Sequence, residues 1–211
     1  MQYRNSGDDS RSCVKFLGLH IESGLKWDTH IDSICHKLTK TIYLLRKITK
    51  IVSNECVLNI YYGLFHSVMQ YGIILSGNSP EAIRVFKLQK RAVRIISHSY
   101  RLAHCKPIFK KLKIMSLPSL YVFSNLLYVK NNLNTFQTVD EIHSYSTRGN
   151  KDIRVPLYKT GKLTNGPNYW ALKFYNILSN KIKEMNYHNY KKEIKDLLLD
   201  KCLYNYKEFF Q

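Results

Sequence analysis

Acidic residues are scarce in this sequence, which has 15 Asp and Glu residues against 33 Lys and Arg residues and a formal net charge of +18 at pH 7. An imbalance of this size in a chain that can fold predicts a polyanionic partner, either nucleic acid or an anionic membrane surface. A solvated basic surface without a partner is the alternative. The chain is not short of core-forming residues, because 45% are hydrophobic and 13% aromatic. This content excludes a disordered basic tail.

Closely spaced cysteine pairs are also missing, since no C-x-x-C occurs. Their absence argues against a zinc site, and an odd number of scattered cysteines argues against a disulfide framework. Free thiols are typical of a reducing compartment, so we expect an intracellular protein, in the nucleus or cytoplasm, with no metal site or cofactor of its own. The cysteines are Cys13, Cys35, Cys56, Cys105 and Cys202.

Long apolar runs and a secretory signal are lacking as well. Residues 1–11 are polar, and no apolar run reaches the roughly 18 residues that a membrane span needs. Residues 56–80 contain no Asp, Glu, Lys or Arg, but Asn59, His66 and Gln70 interrupt them. We therefore expect a buried core helix in this segment and no membrane partner.

Catalytic motifs are absent too, since the chain has no Walker loop, nucleophile elbow or dinucleotide-binding glycine motif. Gly7-Asp8-Asp9 resembles a turn that holds metal in some polymerases. Its neighbours on both sides are polar, so they cannot form the hydrophobic hairpin that would hold two carboxylates against two metal ions. We expect no catalytic residue here and no enzymatic activity of the chain on its own.

The hydrophobic pattern predicts a mainly α fold: a short β-hairpin, a helical bundle and a small α+β C-terminal subdomain. Residues 1–13 are expected to be disordered. An apolar run at 14–21, a break at Ser23-Gly24 and the apolar Leu25 and Trp27 predict a hairpin over residues 14–28. The bundle is expected to span residues 29–132, and the C-terminal subdomain residues 133–211.

Three helices of the bundle have clear signals. Residues 28–50 have an apolar stripe at helical spacing. Ser53 is a candidate N-cap for a second helix that runs to residue 71, is apolar nearly all round and should therefore lie in the middle of the bundle. Ser79-Pro80-Glu81 predicts the start of a third helix, over residues 80–98. Its expected core side consists of Val85, Leu88, Ala92, Ile95 and Ile96.

Basic residues cluster on this third helix and just after it, where Glu81 is the only acid within residues 81–115. They occupy an arc of about 120° on the helix, next to its apolar side. Cations on a rigid element suit phosphate binding, whereas a merely solvated face usually mixes both signs of charge. A membrane-surface helix is disfavoured, because the apolar side is small, β-branched and without Trp. The candidate nucleic-acid-binding residues are Arg84, Lys87, Lys90, Arg91, Arg94, Arg101, Lys110 and Lys111.

A series of short motifs runs along most of the chain, and together they resemble the C-terminal part of reverse transcriptases from non-LTR retrotransposons of the jockey-like group. Their order and spacing carry the resemblance. The motifs are Lys15-Phe16-Leu17-Gly18-Leu19, Tyr61-Tyr62, Leu64-Phe65-His66-Ser67, Tyr71-Gly72, Gln89-Lys90-Arg91-Ala92, Arg94-Ile95-Ile96, Leu117-Pro118-Ser119-Leu120-Tyr121, His143-Ser144-Tyr145-Ser146-Thr147-Arg148 and Pro167-Asn168-Tyr169.

The resemblance implies the thumb and post-thumb part of an RNA-directed DNA polymerase, present as a truncated copy. Its partners would be an RNA or DNA template–primer hybrid and the missing palm and fingers. The family's metal-binding aspartates lie upstream of the hairpin and are not found here, so Mg²⁺ is expected only in the full-length polymerase. The resemblance implies a primer-grip-like group of Phe16, Leu17 and Gly18, and a C-terminal motif with His143, Tyr145 and Arg148.

Three alternatives to a polymerase fragment stay open at this point. The chain could be a co-opted module that binds RNA or DNA by itself, a non-functional relic, or a protein-interaction scaffold that is kept soluble by its charge. In one position the chain departs from the family pattern, because Ser76-Gly77 stands where the family usually has Trp-Gly.

Overall fold

The structure is a computed structural model, and it describes residues 13–22, 26–139, 152–156 and 166–211. The described part is mainly helical and opens with a two-stranded antiparallel hairpin, so the predicted fold class is confirmed. The strands are β1 (Cys13–Phe16) and β2 (Leu19–Glu22). The helices are α1 (Asp28–Ile48), α2 (Asn54–Ile60), a π-helical turn (Tyr61–His66), α3 (Ser67–Gln70), α4 (Ile73–Ser76), α5 (Ala82–Ile96), α6 (Cys105–Leu112), α7 (Leu117–Asn131), α8 (Pro167–Ile177), α9 (Asn180–Lys183) and α10 (Tyr187–Lys201), with 3₁₀ helices at Leu133–Thr135 and Tyr206–Phe210.

The hairpin turns earlier than the sequence predicted. Phe16 pairs with Leu19, and the turn residues Leu17 and Gly18 have φ angles of 46° and 83°. Positive φ at both central positions defines the tight turn that matches strand twist, for which Asn-Gly is the usual sequence. The sequence analysis missed this turn, because Leu-Gly inside an apolar run gives little turn signal, and the predicted break at Ser23-Gly24 lies outside the described residues.

Helices α1 and α5 lie side by side and run in the same direction. Near their first turns Arg84 contacts Asp32, and near their last turns Arg46 and Arg94 line one cleft. Each helix buries one stripe against the core, as helical spacing predicted for α1. The buried residues of α1 are His30, Ile31, Ile34, Leu38, Thr41, Ile42 and Leu45.

The segment from α2 to α3 follows the predicted second helix, and Ser53 Oγ accepts the N–H of Cys56 at 3.4 Å as its N-cap. The prediction that this helix is buried on all sides was wrong. Val57, Tyr61, Phe65 and Met69 face the core, whereas residues on the other side are exposed. Three four-residue steps in a straight α-helix would rotate by about 120°. The wider π turn counters this rotation and keeps the four side chains on one face.

Helix α7 occupies the centre of the bundle instead. Ser116 Oγ caps it by accepting the N–H of Ser119 at 3.3 Å, and helices α4, α5, α8 and α10 all contact it. Such coverage suits a helix that is apolar on every side. Its buried residues are Leu117, Ser119, Leu120, Tyr121, Val122, Phe123, Asn125, Leu126 and Val129.

The C-terminal elements share this core. Phe174, Tyr190 and Leu198 are buried in the same cluster as α7. Ser119 Oγ accepts the N–H of Leu203 at 3.0 Å and donates to the carbonyl of Leu198 at 3.3 Å. Within the described part of residues 133–211, β structure consists of one bridge between Thr138 and Ile153.

A buried glutamine fixes the rotation of α5. Gln89 Nε2 donates to the Tyr61 hydroxyl at 3.1 Å and to the carbonyl of Met115 at 2.8 Å, and Gln89 Oε1 accepts the N–H of Leu117 at 2.8 Å. Buried polar groups that are fully paired specify one arrangement of their neighbours. This network ties α5 to the π turn and to the start of α7, and so decides which side of α5 faces outward.

Candidate nucleic-acid interface

Helix α5 has a buried face and, on its opposite side, a cationic face. It starts at Ala82, later than predicted, and Ser79 does not cap it, since Ser79 Oγ is buried without a hydrogen-bond partner. Leu88 and Ile95 are only half-buried, between the two faces. The buried face consists of Ala82, Val85, Phe86, Gln89, Ala92, Val93 and Ile96. On the opposite side, at about 100° per residue, lies the basic ridge: Arg84, Lys87, Arg91 and Arg94.

Arg84 is the one member of the basic ridge whose charge is shared with acids among the described residues. Its guanidinium lies 2.6 Å from Asp32 Oδ1 and 3.4 Å from Glu81 Oε2. Its hydrogen bond to Asp32, with the negative charge of that group, raises the pKa of Arg84. Both pairs are exposed to solvent, which screens the attraction between the two charges. A phosphate can therefore compete for this guanidinium at little cost.

Lys90 does not join the basic ridge. Its Nζ lies 4.7 Å from the centre of the Phe86 ring and 5.5 Å from that of Tyr204. The thiol of Cys105 also contacts the carbonyl of Lys90, which places the start of α6 on this side of α5. Cation–π contacts with two rings hold Lys90 toward the C-terminal part of the fold.

The two other predicted lysines, Lys110 and Lys111, belong to α6 and not to the basic ridge of α5. Lys110 Nζ is 3.1 Å from Asp200 Oδ1 of α10, and Lys111 is exposed on the same helix. Asp200 offsets the charge of Lys110 in this exposed pair, so α6 and the neighbouring end of α10 contribute less net positive charge than the sequence of α6 indicated.

The loop after α5 is held against the last turn of the helix. His98 stands in the left-handed conformation with φ 52°, its N–H bonds the carbonyl of Ile95 at 3.1 Å, and the N–H of Ser99 bonds the carbonyl of Arg94 at 2.9 Å. These two hydrogen bonds define a Schellman motif. Arg94 Nε then donates to the carbonyl of Ala103 at 2.9 Å. The loop and the Arg94 guanidinium are thereby fixed to each other.

A cleft of about 650 Å³ lies between this loop and the last turns of α1 and α5. Four arginines converge on it, and none of its described lining residues is acidic. We call it the arginine cleft. The sequence identified three of these arginines but missed Arg46, because a basic residue in the last turn of a helix is ordinary. The lining residues are Arg46, Arg91, Arg94, Ile95, Ser99, Arg101 and Leu102.

The electrostatics of the arginine cleft favour an anion. The C-terminal end of each helix carries a partial charge of about −0.5, so the four guanidinium groups leave a net charge of about +3. The thiol of Cys105, which lies near Arg94, adds no anion, because burial raises its pKa and keeps it protonated near neutral pH. What this region offers a ligand is therefore positive charge.

The predicted primer-grip-like group lies at the tip of the hairpin. Phe16 is 60% exposed and Leu17 is 75% exposed. Behind the tip, the Tyr71 hydroxyl donates to the carbonyl of Leu17. Gly72, in the left-handed conformation at φ 70°, lies against Leu19 of β2. Tyr71 and Gly72 thus dock the hairpin on the bundle and leave its apolar tip facing outward.

Besides the predicted break at Ser23-Gly24, two predicted features fall outside the described residues. They are the C-terminal motif with His143, Tyr145 and Arg148, and the turn Gly7-Asp8-Asp9 with the rest of residues 1–12.

In the described ranges, no cluster of three or more His, Cys, Asp or Glu side chains is placed to hold a metal ion. No single described helix is long and apolar enough to cross a membrane, and α6 with α7 meets the length and composition criteria only as a pair bent by 49°. The chain matches no model of a known protein family, no curated protein and no solved structure.

Proposed function

We propose that this chain binds nucleic acid through the sugar–phosphate backbone, using the basic ridge and the arginine cleft. The observation that carries the proposal is the convergence of four arginines beside a cationic helix face whose opposite side is anchored in the core. Cations on such a rigid element release condensed counterions without first having to be ordered. Contacts of this kind position a strand without reading its bases, so we expect similar affinity for different sequences.

The resemblance to retrotransposon reverse transcriptases suggests the setting of this activity. The chain would bind a template–primer hybrid without polymerase activity of its own, and its hairpin tip would contact a polymerase palm. Exposure of Phe16 and Leu17 supports the second point, because neighbouring apolar side chains on a surface suit a protein partner. A co-opted module that binds RNA or DNA by itself would use the same basic surface and leave the tip without this partner.

The salt dependence of binding tests the proposal. Arg84, Lys87, Arg91 and Arg94 are changed together to Gln, and the affinity for an RNA–DNA hybrid is measured at several salt concentrations. Each phosphate that the protein no longer neutralises should flatten the plot of log K against log salt by about 0.7–0.9, so four such phosphates should change the slope by roughly 3. The fold should survive, since the basic ridge lies opposite the buried face.

A matched control separates a local site from total charge. Lys181, Lys191, Lys192 and Lys195 are exposed on α9 and α10, and changing them to Gln removes the same charge. This control should leave the slope close to that of the parent. A binding site on α5 would be refuted if the parent and the ridge variant had equal slopes. It would also be refuted if the ridge and control variants reduced the slope equally.

A further inference from the structure

We infer that the arginine cleft binds one nucleotide of a single strand, with its phosphate on the guanidinium groups and its base against the apolar rim of the loop after α5. This inference rests on the proposed function, because it names the form of nucleic acid that the same site takes.

The shape of the arginine cleft favours an unpaired nucleotide over a duplex. The backbone of a double helix is convex and would meet the exposed basic ridge. The arginine cleft, at about 650 Å³, falls in the range of small-molecule sites, which is about 300–1,000 Å³. A nucleotide can enter it only if its base is free of a partner strand.

The arginines are suited to a phosphate group. A guanidinium offers several N–H donors in a planar fork that matches phosphate oxygens. Arg94 is held in place through Nε, which leaves its other nitrogen atoms for a ligand. Arg46, Arg91 and Arg101 form no ion pair with an acid in the part of the chain that the structure describes.

The rim next to the arginines offers an apolar surface for a base. Tyr100 is 76% exposed and Leu102 is 75% exposed, on either side of Arg101 in the loop. Leu102 lines the arginine cleft together with Ile95. A single exposed apolar side chain is ordinary. Leu102 in the arginine cleft and the exposed Tyr100, which precedes Arg101 in the loop, supply with the arginines the combination of charge and stacking surface that single-strand binding uses.

The test compares three probes: a blunt RNA–DNA hybrid, the same hybrid with a short single-stranded extension, and that hybrid with an extension of abasic nucleotides. The parent should bind the extended hybrid roughly tenfold more tightly than the blunt one, as expected for one stacked base. The abasic extension should abolish this preference. Because this comparison uses the parent protein, it does not depend on the folding of any variant.

Two variants then locate the effect. Tyr100→Ala with Leu102→Ala changes no charge, so it should abolish the preference for the extension without flattening the salt dependence of binding. Arg46→Gln with Arg101→Gln should also abolish the preference. The matched pair Arg84→Gln with Lys87→Gln removes equal charge from the basic ridge, and it should weaken binding to both hybrids while keeping the preference.

The outcomes separate this inference from the proposed function. The nucleotide site is overturned if the parent binds the blunt and extended hybrids equally. It is also overturned if the preference survives with an abasic extension or without Tyr100 and Leu102. Backbone binding stays intact in each case. If no probe binds, both proposals fail. Binding to vesicles that contain phosphatidylserine, without binding to any hybrid, would also overturn both and assign the loop to a membrane surface.

Discussion

The hydroxyl of Tyr71 donates a hydrogen bond to the main-chain carbonyl of Leu17, and this contact joins the tip of the hairpin to the helical bundle. A Cβ on Gly18 would stand 3.7 Å from the Tyr71 ring, so the ring lies beside the turn. The position of the apolar tip therefore depends on a residue 54 positions further along the chain.

Removal of this hydrogen bond should loosen the hairpin locally. For Tyr71→Phe we expect faster amide hydrogen exchange in β1 and β2 and a decrease of about 1 kcal/mol in unfolding free energy. Mass-spectrometric hydrogen exchange measures the first effect. Tyr100→Phe, at a side chain that is 76% exposed, is the control and should leave exchange in the hairpin unchanged. Equal exchange in the parent and Tyr71→Phe would show that the contact does not hold the tip.

A methyl group at Gly72 should destabilise the packing of the hairpin against the helical bundle. Gly72 has φ 70°, and a Cβ there would lie 2.6 Å from Leu19 Cδ2. We expect Gly72→Ala to lower the unfolding free energy by about 1–3 kcal/mol in urea denaturation. Gly63→Ala is the matched control, because nothing lies within 4 Å of its Cβ, and it should stabilise by up to about 1 kcal/mol. Similar effects at the two glycines would contradict the close docking of β2.

Gln89 is expected to be essential for stability. In Gln89→Leu, the N–H of Leu117, the carbonyl of Met115 and the Tyr61 hydroxyl are deprived of the partner that Gln89 provides. Unpaired buried groups cost about 1–3 kcal/mol each, so we expect the unfolding free energy to fall by at least about 2 kcal/mol, measured by thermal and urea unfolding. The exposed Gln70 supplies the control, and Gln70→Leu should stay within about 0.5 kcal/mol of the parent.

The hairpin tip should promote self-association when the chain is isolated. We expect concentration-dependent oligomers in analytical ultracentrifugation, and Phe16→Ser with Leu17→Asn should reduce them. The double variant should be at least as stable, because Leu17 has φ 46° and Asn-Gly is the favoured sequence for this turn. A parent that stays monomeric at high concentration would contradict a docking role for the tip.

Primer extension should be absent in the isolated chain. Two-metal phosphoryl transfer requires carboxylates that are fixed around both ions, and the polar neighbours of Gly7-Asp8-Asp9 are not expected to fix its carboxylates in this way. We expect no extension on poly-rA with Mg²⁺ or Mn²⁺, and no difference between the parent and Asp8→Ala with Asp9→Ala. Activity in the parent that disappears in the double variant would make Gly7-Asp8-Asp9 a catalytic turn.

The sequence predicted best those features that depend on the geometry of a single helix. The apolar stripe of α1 and the basic arc of α5 follow from the helical repeat of 100° per residue, which depends on the backbone alone. Ser53 was identified as a cap because a capping hydroxyl bonds an amide in its own first turn. These features need no knowledge of the rest of the fold.

Composition was a poor guide to burial. The segment from α2 to α3 and helix α7 are both rich in apolar residues, yet only α7 is covered on nearly every side. Apolar content describes what a helix can bury, whereas the number of neighbouring helices decides what it does bury.

The binding surface was determined partly by the sequence and partly by the tertiary structure. The sequence by itself determined that α5 has a cationic side and that the chain carries a large positive charge. Only the tertiary structure brought Arg46 of α1 beside Arg94 of α5 and turned Lys90 toward Phe86 and Tyr204. Helical periodicity assigns a side chain to a face of its own helix, but which faces meet depends on how distant segments pack around a common core.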